Sequence, residues 1–141
     1  ASPSVLIGLG VCDAAGGRVV DWVRQLGYEP TVSLGGSATL AWVQEHAFAA
    51  SLLDAGLVAE TGEQIWRRVR PIAGRRLVLM VRDPRRNLWF EALRSGVGAV
   101  LPLPSEEPMV RAAMYAATCG GSPDPAGANS YAGTEGTWCR S

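Results

Sequence analysis

Over roughly the first 118 residues, short unbroken apolar runs alternate with stretches whose apolar positions recur at helical spacing. Residues 5–9 (VLIGL) form an apolar run of strand length and predict a buried strand. Val19, Val23 and Leu26 then fall at i, i+4 and i+7, one face of a helix that closes at Gly27. Residues 31–34 predict a second short strand. Ser37 is placed to cap a helix carrying Leu40 and Val43 and ending near His46. Residues 48–53 (FAASLL) are apolar but for Ser51 and predict a third strand ending at Asp54. Ile65 and Val69 mark a helix that Pro71 should stop. Residues 77–81 (LVLMV) predict the fourth strand. Asp83 and Pro84 supply an N-cap and first-turn residue for a helix bearing Leu88, Ala92 and Leu93, with Gly96 beyond its end. Residues 99–101 predict the fifth strand. Ser105 is placed to cap a last helix whose first turn holds Glu106 and Glu107, where the helix dipole favours acids.

Five strands alternating with five helices predict an α/β fold with a parallel sheet covered on both faces. Right-handed crossovers make it doubly wound, and chemistry then belongs at the carboxyl ends of the strands. The texture changes after Thr118. Residues 119–141 are rich in Gly, Pro, Ser and Ala without either period, so residues 1–118 are expected to form the domain and the remainder a linker or tail to an output domain. Tyr131 and Trp138 are unusual for such a segment.

Composition narrows the chemistry. The 13 basic residues balance 13 acidic ones, and all 13 are arginine. Without lysine, neither a Walker-type phosphate loop nor a Schiff-base nucleophile can exist. One histidine, His46, excludes multi-histidine zinc sites and suits a helix end or surface better than catalysis. No apolar run reaches the roughly 18 residues of a membrane span, and residues 5–9 are too short for a signal-peptide core. Zero formal charge gives no electrostatic case for nucleic acid. The three cysteines, Cys12, Cys119 and Cys139, lack paired metal spacing and suggest reduced thiols in a cytoplasmic protein, with a Cys119–Cys139 disulfide as the alternative. Cys12 reads either as a small buried hydrophobe or as a sensing thiol.

At the predicted strand ends, Gly8 and Gly10 begin a dinucleotide-type glycine pattern that fails at Asp13, leaving tight-turn glycines as the plain reading. Asp54 is the sharper feature: a carboxylate at the end of an apolar strand is a nucleophile, a metal ligand or a turn cap. The stretch 49–57 (AASLLDAGL), with Gly62 and the Arg67, Arg68, Arg70 group following, resembles the phosphoacceptor region of response-regulator receiver domains. Residues 26–29 (LGYE), 92–96 (ALRSG), 98–101 (GAVL) and Pro104 agree in order and spacing, so the resemblance covers about residues 4–117. It implies a flavodoxin-like (βα)5 sheet of order 2-1-3-4-5 and, in the family, Mg²⁺-dependent phosphoryl transfer from a histidine kinase to the aspartate.

Aligned on that family, most of the pocket is replaced. The acidic pair that holds the metal falls on Leu9 and Gly10, the hydroxyl on Val81, the lysine on Leu103 and the aromatic switch on Val100. Such a pocket is not expected to bind Mg²⁺, because none of these side chains can ligate a hard cation. Leu9, Val81 and Leu103 are expected to pack together and close it. Asp13 and either Arg82 or Arg18 are the candidate substitutes for the lost charges. The resemblance thus implies a degenerate receiver, or pseudo-receiver, that is not an enzyme. It would work without phosphorylation as an interaction or homodimerisation module through its fourth helix, fifth strand and fifth helix. Trp89, Phe90, Arg94, Val100 and Arg111 are the interface candidates, whereas Trp22, Trp42 and Trp66 fall on other helices and suit packing against the sheet. Two alternatives stay open: an active phosphoacceptor at Asp54 with a rebuilt pocket, served by a histidine kinase, and a small-ligand module using the Gly8–Gly17 loop.

Overall fold

The computed structural model describes residues 2–82 and 91–119. Its elements are β1 (Ser4–Leu9), α1 (Ala14–Gln25), β2 (Glu29–Leu34), α2 (Gly36–Glu45), β3 (Ala50–Asp54), α3 (Ile65–Ala73), a single 3₁₀ turn (Gly74–Arg76) and β4 (Leu77–Val81). The helical residues 91–94, here α4, precede β5 (Ala99–Pro102) and α5 (Glu107–Thr118). All strand pairs are parallel, in the order β2-β1-β3-β4-β5. This is the doubly wound parallel sheet that the apolar runs predict, in the flavodoxin-like order that the family resemblance implies.

Alternation along each strand divides the core into two layers. Val5, Ile7, Leu9, Leu52, Val78, Met80, Leu101 and Leu103 pack with Val19 and Val23 of α1 and Val110 and Met114 of α5. On the other face, Leu6, Leu53, Leu77, Leu79 and Val81 pack with Val43, Ile65, Trp66, Val69 and Ala92 from α2, α3 and α4. The residues of β3 and β4 are buried on both faces, which is why their sequences carry no polar alternation. Each fully buried aliphatic side chain contributes about 1.5–3 kcal/mol through removal from water.

Helix ends depart from the sequence reading in three places. Ser37 does not cap α2. The helix begins two residues earlier, after the cap residue Gly35, whose φ of 93° is open to glycine at little cost. A Cβ on Gly36 would lie 2.5 Å from the Val58 carbonyl oxygen, so α2 starts where its backbone can touch the β3–α3 loop. Pro71 does not stop α3, which runs on to Ala73 and ends at Gly74 with φ 59°. Proline's fixed φ is compatible with a helix, and only two residues of α3 follow Pro71, so its lost hydrogen bond and ring crowding fall at the helix end. Ser105 does not cap α5. Glu106 holds that position without a side-chain bond, and the Ser105 hydroxyl donates to the Pro102 carbonyl instead.

Asp83, Pro84, Leu88, Trp89 and Phe90 lie outside the described residues, as do Tyr131, Trp138 and Cys139 in the segment 120–141. Cys12 is an exposed free thiol rather than a buried hydrophobe, and Cys119 is disulfide-bonded rather than reduced. Among the described residues, no helix is long and apolar enough to cross a membrane.

Two glycines test this packing with opposite signs. A Cβ at Gly98 would meet the Arg75 carbonyl oxygen at 2.0 Å, and that backbone joins α3 to β4. At Gly17, inside α1, a Cβ meets nothing within 4 Å. In urea denaturation, Gly98→Ala is expected to lose about 1–3 kcal/mol to overpacking, and Gly17→Ala to gain about 0.5–1 kcal/mol from helix propensity.

Candidate functional site

The site lies at the carboxyl end of the sheet, and strand register assembles it. Asp54 pairs with Met80 across β3 and β4. Arg82, two residues beyond Met80, therefore emerges on the same face as Asp54, just past the edge. Asp54 is 6% exposed, and the surroundings engage both of its carboxylate oxygens. Oδ1 accepts the Gly56 amide at 2.9 Å, and Oδ2 accepts Arg82 Nε at 2.7 Å.

The guanidinium spans two acids. Arg82 Nη1 forms an ion pair with Asp13 Oδ2, and Asp13 Oδ1 accepts the Gly16 amide at 2.9 Å as the N-cap of α1. Asp13 thus serves the helix with one oxygen and the arginine with the other. Its carboxyl is held below the ordinary carboxylate range, first by the Gly16 amide and then by the hydrogen bond and charge of Arg82. Burial works against the charge of Arg82, but the bonds to Asp54 and Asp13 outweigh it and hold the guanidinium protonated more firmly than usual. Arg82 Nη2 is buried without a hydrogen-bond partner.

The remaining sequence-singled positions are placed as follows. Leu9 and Leu103 are buried and share the layer beneath α1 and α5. Val81 is buried in the opposite layer with Leu77 and Leu79. The three side chains therefore do not close the pocket together: position 81 belongs by strand parity to the α2, α3 and α4 face. Gly10 is exposed at the end of β1. Arg18 does not reach Asp54 and pairs with Glu106 at 3.2 Å, tying α1 to the start of α5. Val100 is half-buried against the α4-side layer, and Arg94 is exposed. Arg111 pairs with Glu107 one turn earlier in α5, so its charge is met within its own helix. The Gly56 and Gly16 amides were not evident as site groups from sequence, because backbone donors carry no residue-type signal.

These groups do not fit a divalent cation. Leu9 and Gly10 provide no oxygen side chain where receiver domains place an acidic pair, and the oxygens of Asp13 and Asp54 facing each other are taken by Arg82. Among the described residues, no group of three or more His, Cys, Asp or Glu side chains is arranged to hold a metal. Chemically, the arrangement is a charge-assisted carboxylate–guanidinium–carboxylate bridge of the kind arginine's planar fork supports.

No protein-family model matches the chain, and no curated protein matches it. Solved structures do. The signal receiver domain of a putative Luxo repressor protein from Vibrio parahaemolyticus superposes with a TM-score of 0.71 at 14% identity, covering 86% of this chain and 93% of that one. The chemotaxis response regulator CheY4 of Vibrio cholerae gives 0.64 at 17% identity, covering 79% and 95%. A two-component response regulator from Clostridium difficile gives 0.67 at 15%, covering 82% and 95%. The chain therefore has the fold of response-regulator receiver domains.

The bridge predicts a pH response. Because the Asp13 carboxyl is held low in the folded protein, its contribution to stability is present above the ordinary carboxylate range and is lost as pH falls through its own lowered value. Carboxyl NMR titration should show the Asp13 midpoint below its ordinary 3.8 in the parent protein. In Arg82→Gln the midpoint should rise toward that value without reaching it, since the Gly16 amide remains. An unchanged midpoint would remove Arg82 from the account.

Proposed function

We propose that this chain acts in signal transduction as a receiver-fold interaction module that works without phosphoryl chemistry, a pseudo-receiver rather than an enzyme. The observation that carries this reading is the pairing of Arg82 with Asp54 Oδ2 at 2.7 Å. Phosphoryl transfer relies on positioning and on charges that stabilise the transferred oxygens. Here the carboxylate that would attack is already an acceptor for a guanidinium and an amide. The fold supports the two-component context, and the site chemistry supports independence from Mg²⁺ and from a histidine kinase.

The interaction surface we assign is α4–β5–α5, used for a second copy or a protein partner. Leu93, Met109 and Tyr115 are 46%, 42% and 42% exposed on its helices and place large apolar groups in solvent there. Between β5 and α5, an apolar hollow of about 290 Å³ is lined by residues including Val100, Pro102, Met109 and Ala112. Arg94 and Arg111 lie on the same elements and give the surface a polar rim.

A second reading, a phosphoacceptor with a rebuilt pocket, is favoured by one observation: the unpartnered Arg82 Nη2, a donor available to an added oxyanion. Beryllofluoride or acetyl phosphate with Mg²⁺, followed by intact mass and amide NMR, separates the two. The module reading expects no stoichiometric adduct at Asp54, and a stable one would refute it. In sedimentation, association should be unchanged by Asp54→Asn and weakened about tenfold or more by Met109→Asp, since burying an unpaired carboxylate in an interface costs over 1.4 kcal/mol.

A further inference from the structure

The opposite end of the sheet carries a second candidate site. A cavity of about 330 Å³ opens between the end of α2, the start of β3 and the end of α3, lined among others by Glu45, His46, Phe48, Ser51, Ile72 and Arg76. A further hollow of about 240 Å³ adjoins it across Glu45 and His46 and is bounded by Ala38, Ala41 and Trp42. Trp42, His46 and Phe48 form a ring cluster on this wall, with centroids 4.9 Å apart for Trp42–His46 and 6.3 Å for each of the other two pairs.

The electrostatics of this end are unbalanced locally. Glu45 is the last residue of α2, whose final turn contains no basic residue. An acid there adds to the negative end of the helix dipole, where a cation is the stabilising choice. A carboxylate, a helix carboxyl terminus and aromatic faces are three features that each favour an ammonium group. Across the same cavity, Arg76 offers a fork suited to a carboxylate. Among the described residues, neither Glu45 nor Arg76 takes part in an ion pair. The cavity thus combines a place for a cation, a place for an anion and the aromatic faces of His46 and Phe48 within a volume typical of small-ligand sites.

We propose that this cavity binds a small zwitterion with a flat apolar body, of the aromatic amino acid class, its ammonium at Glu45 and the α2 terminus and its carboxylate at Arg76. The site is independent of Asp54 and of the surface assigned to α4–β5–α5. It is tested by adding L-phenylalanine to the isotopically labelled full chain and following amide shifts. Shifts confined to residues 42–51 and 72–76 are expected, with a dissociation constant on the order of 1 mM for so small a ligand. Glu45→Gln and Arg76→Gln, both at exposed positions, should each weaken binding about tenfold, the effect of losing one charge-assisted pairing. Phenethylamine and 3-phenylpropionate, each lacking one charge, should bind more weakly than phenylalanine by a similar factor. Absence of shifts at the highest soluble phenylalanine concentration would overturn the proposal. So would shifts centred elsewhere, or equal binding by either single-charge analogue.

Discussion

A carboxylate at the end of a strand buried on both faces sits in a nearly dry place, and the carboxyl end of this sheet is organised by the groups that meet it. Asp54 is 6% exposed. An ion in such a position is tolerated only when a countercharge and hydrogen bonds replace its water. In this chain the countercharge is internal. Arg82 leaves β4 on the same face as Asp54 because the two strands pair in parallel with Asp54 opposite Met80. Its fork then continues to Asp13, which also begins α1. One guanidinium thereby links the ends of β3 and β4 to the start of the first helix.

The choice of arginine has physical content. A lysine at position 82 would present a compact point charge, whereas a guanidinium engages two carboxylates with separate nitrogens in fixed geometry. The absence of lysine from the whole chain is compositional, but at this end it coincides with a cation supplied by arginine from the end of β4. Receiver domains, by the resemblance described above, carry theirs after the fifth strand. Here position 103 is a leucine buried with Leu9 beneath α1 and α5, and positive charge comes from the end of β4. The acids differ from that pattern as well: positions 9 and 10 carry no carboxylate, and Asp13 contributes from the helix cap.

Much of the scaffold was legible because its cause is local. The β4 run LVLMV, with predicted and observed bounds that coincide, is buried on both faces, and such burial leaves an unbroken apolar signature. Helix starts were less legible because their causes are not local. The α2 start depends on Gly36 passing close to the Val58 carbonyl, and Ser105 gives its hydroxyl to Pro102 rather than to α5. In the site, Asp54 and Arg82 were visible as residue types, but their contact depends on interstrand register, which no local pattern encodes. Val81 shows the reverse case. Its outward neighbours Leu77 and Leu79 already placed it, by alternation, on the face away from Leu9 and Leu103. Aligning it with a family pocket position obscured that parity.

The two ends of the sheet illustrate opposite ways of settling charge. At the carboxyl end, each of the two acids meets one basic side chain, and a backbone amide completes each carboxylate. At the amino end, Glu45 sits where its helix would favour a cation, and Arg76 lines the same cavity without an ion pair to it. A satisfied bridge strengthens one arrangement and resists an added ion, since a newcomer must displace contacts already made. Separated charges beside an aromatic wall keep their interaction capacity for something that supplies both signs at once. The two ends differ in helix polarity as well as in pairing, since α1 begins beside Asp13 and α2 ends at Glu45. Where the internal acids already hold a guanidinium between them, an added ion must compete with contacts in place, and where the charges stand apart, both signs are left open to a newcomer.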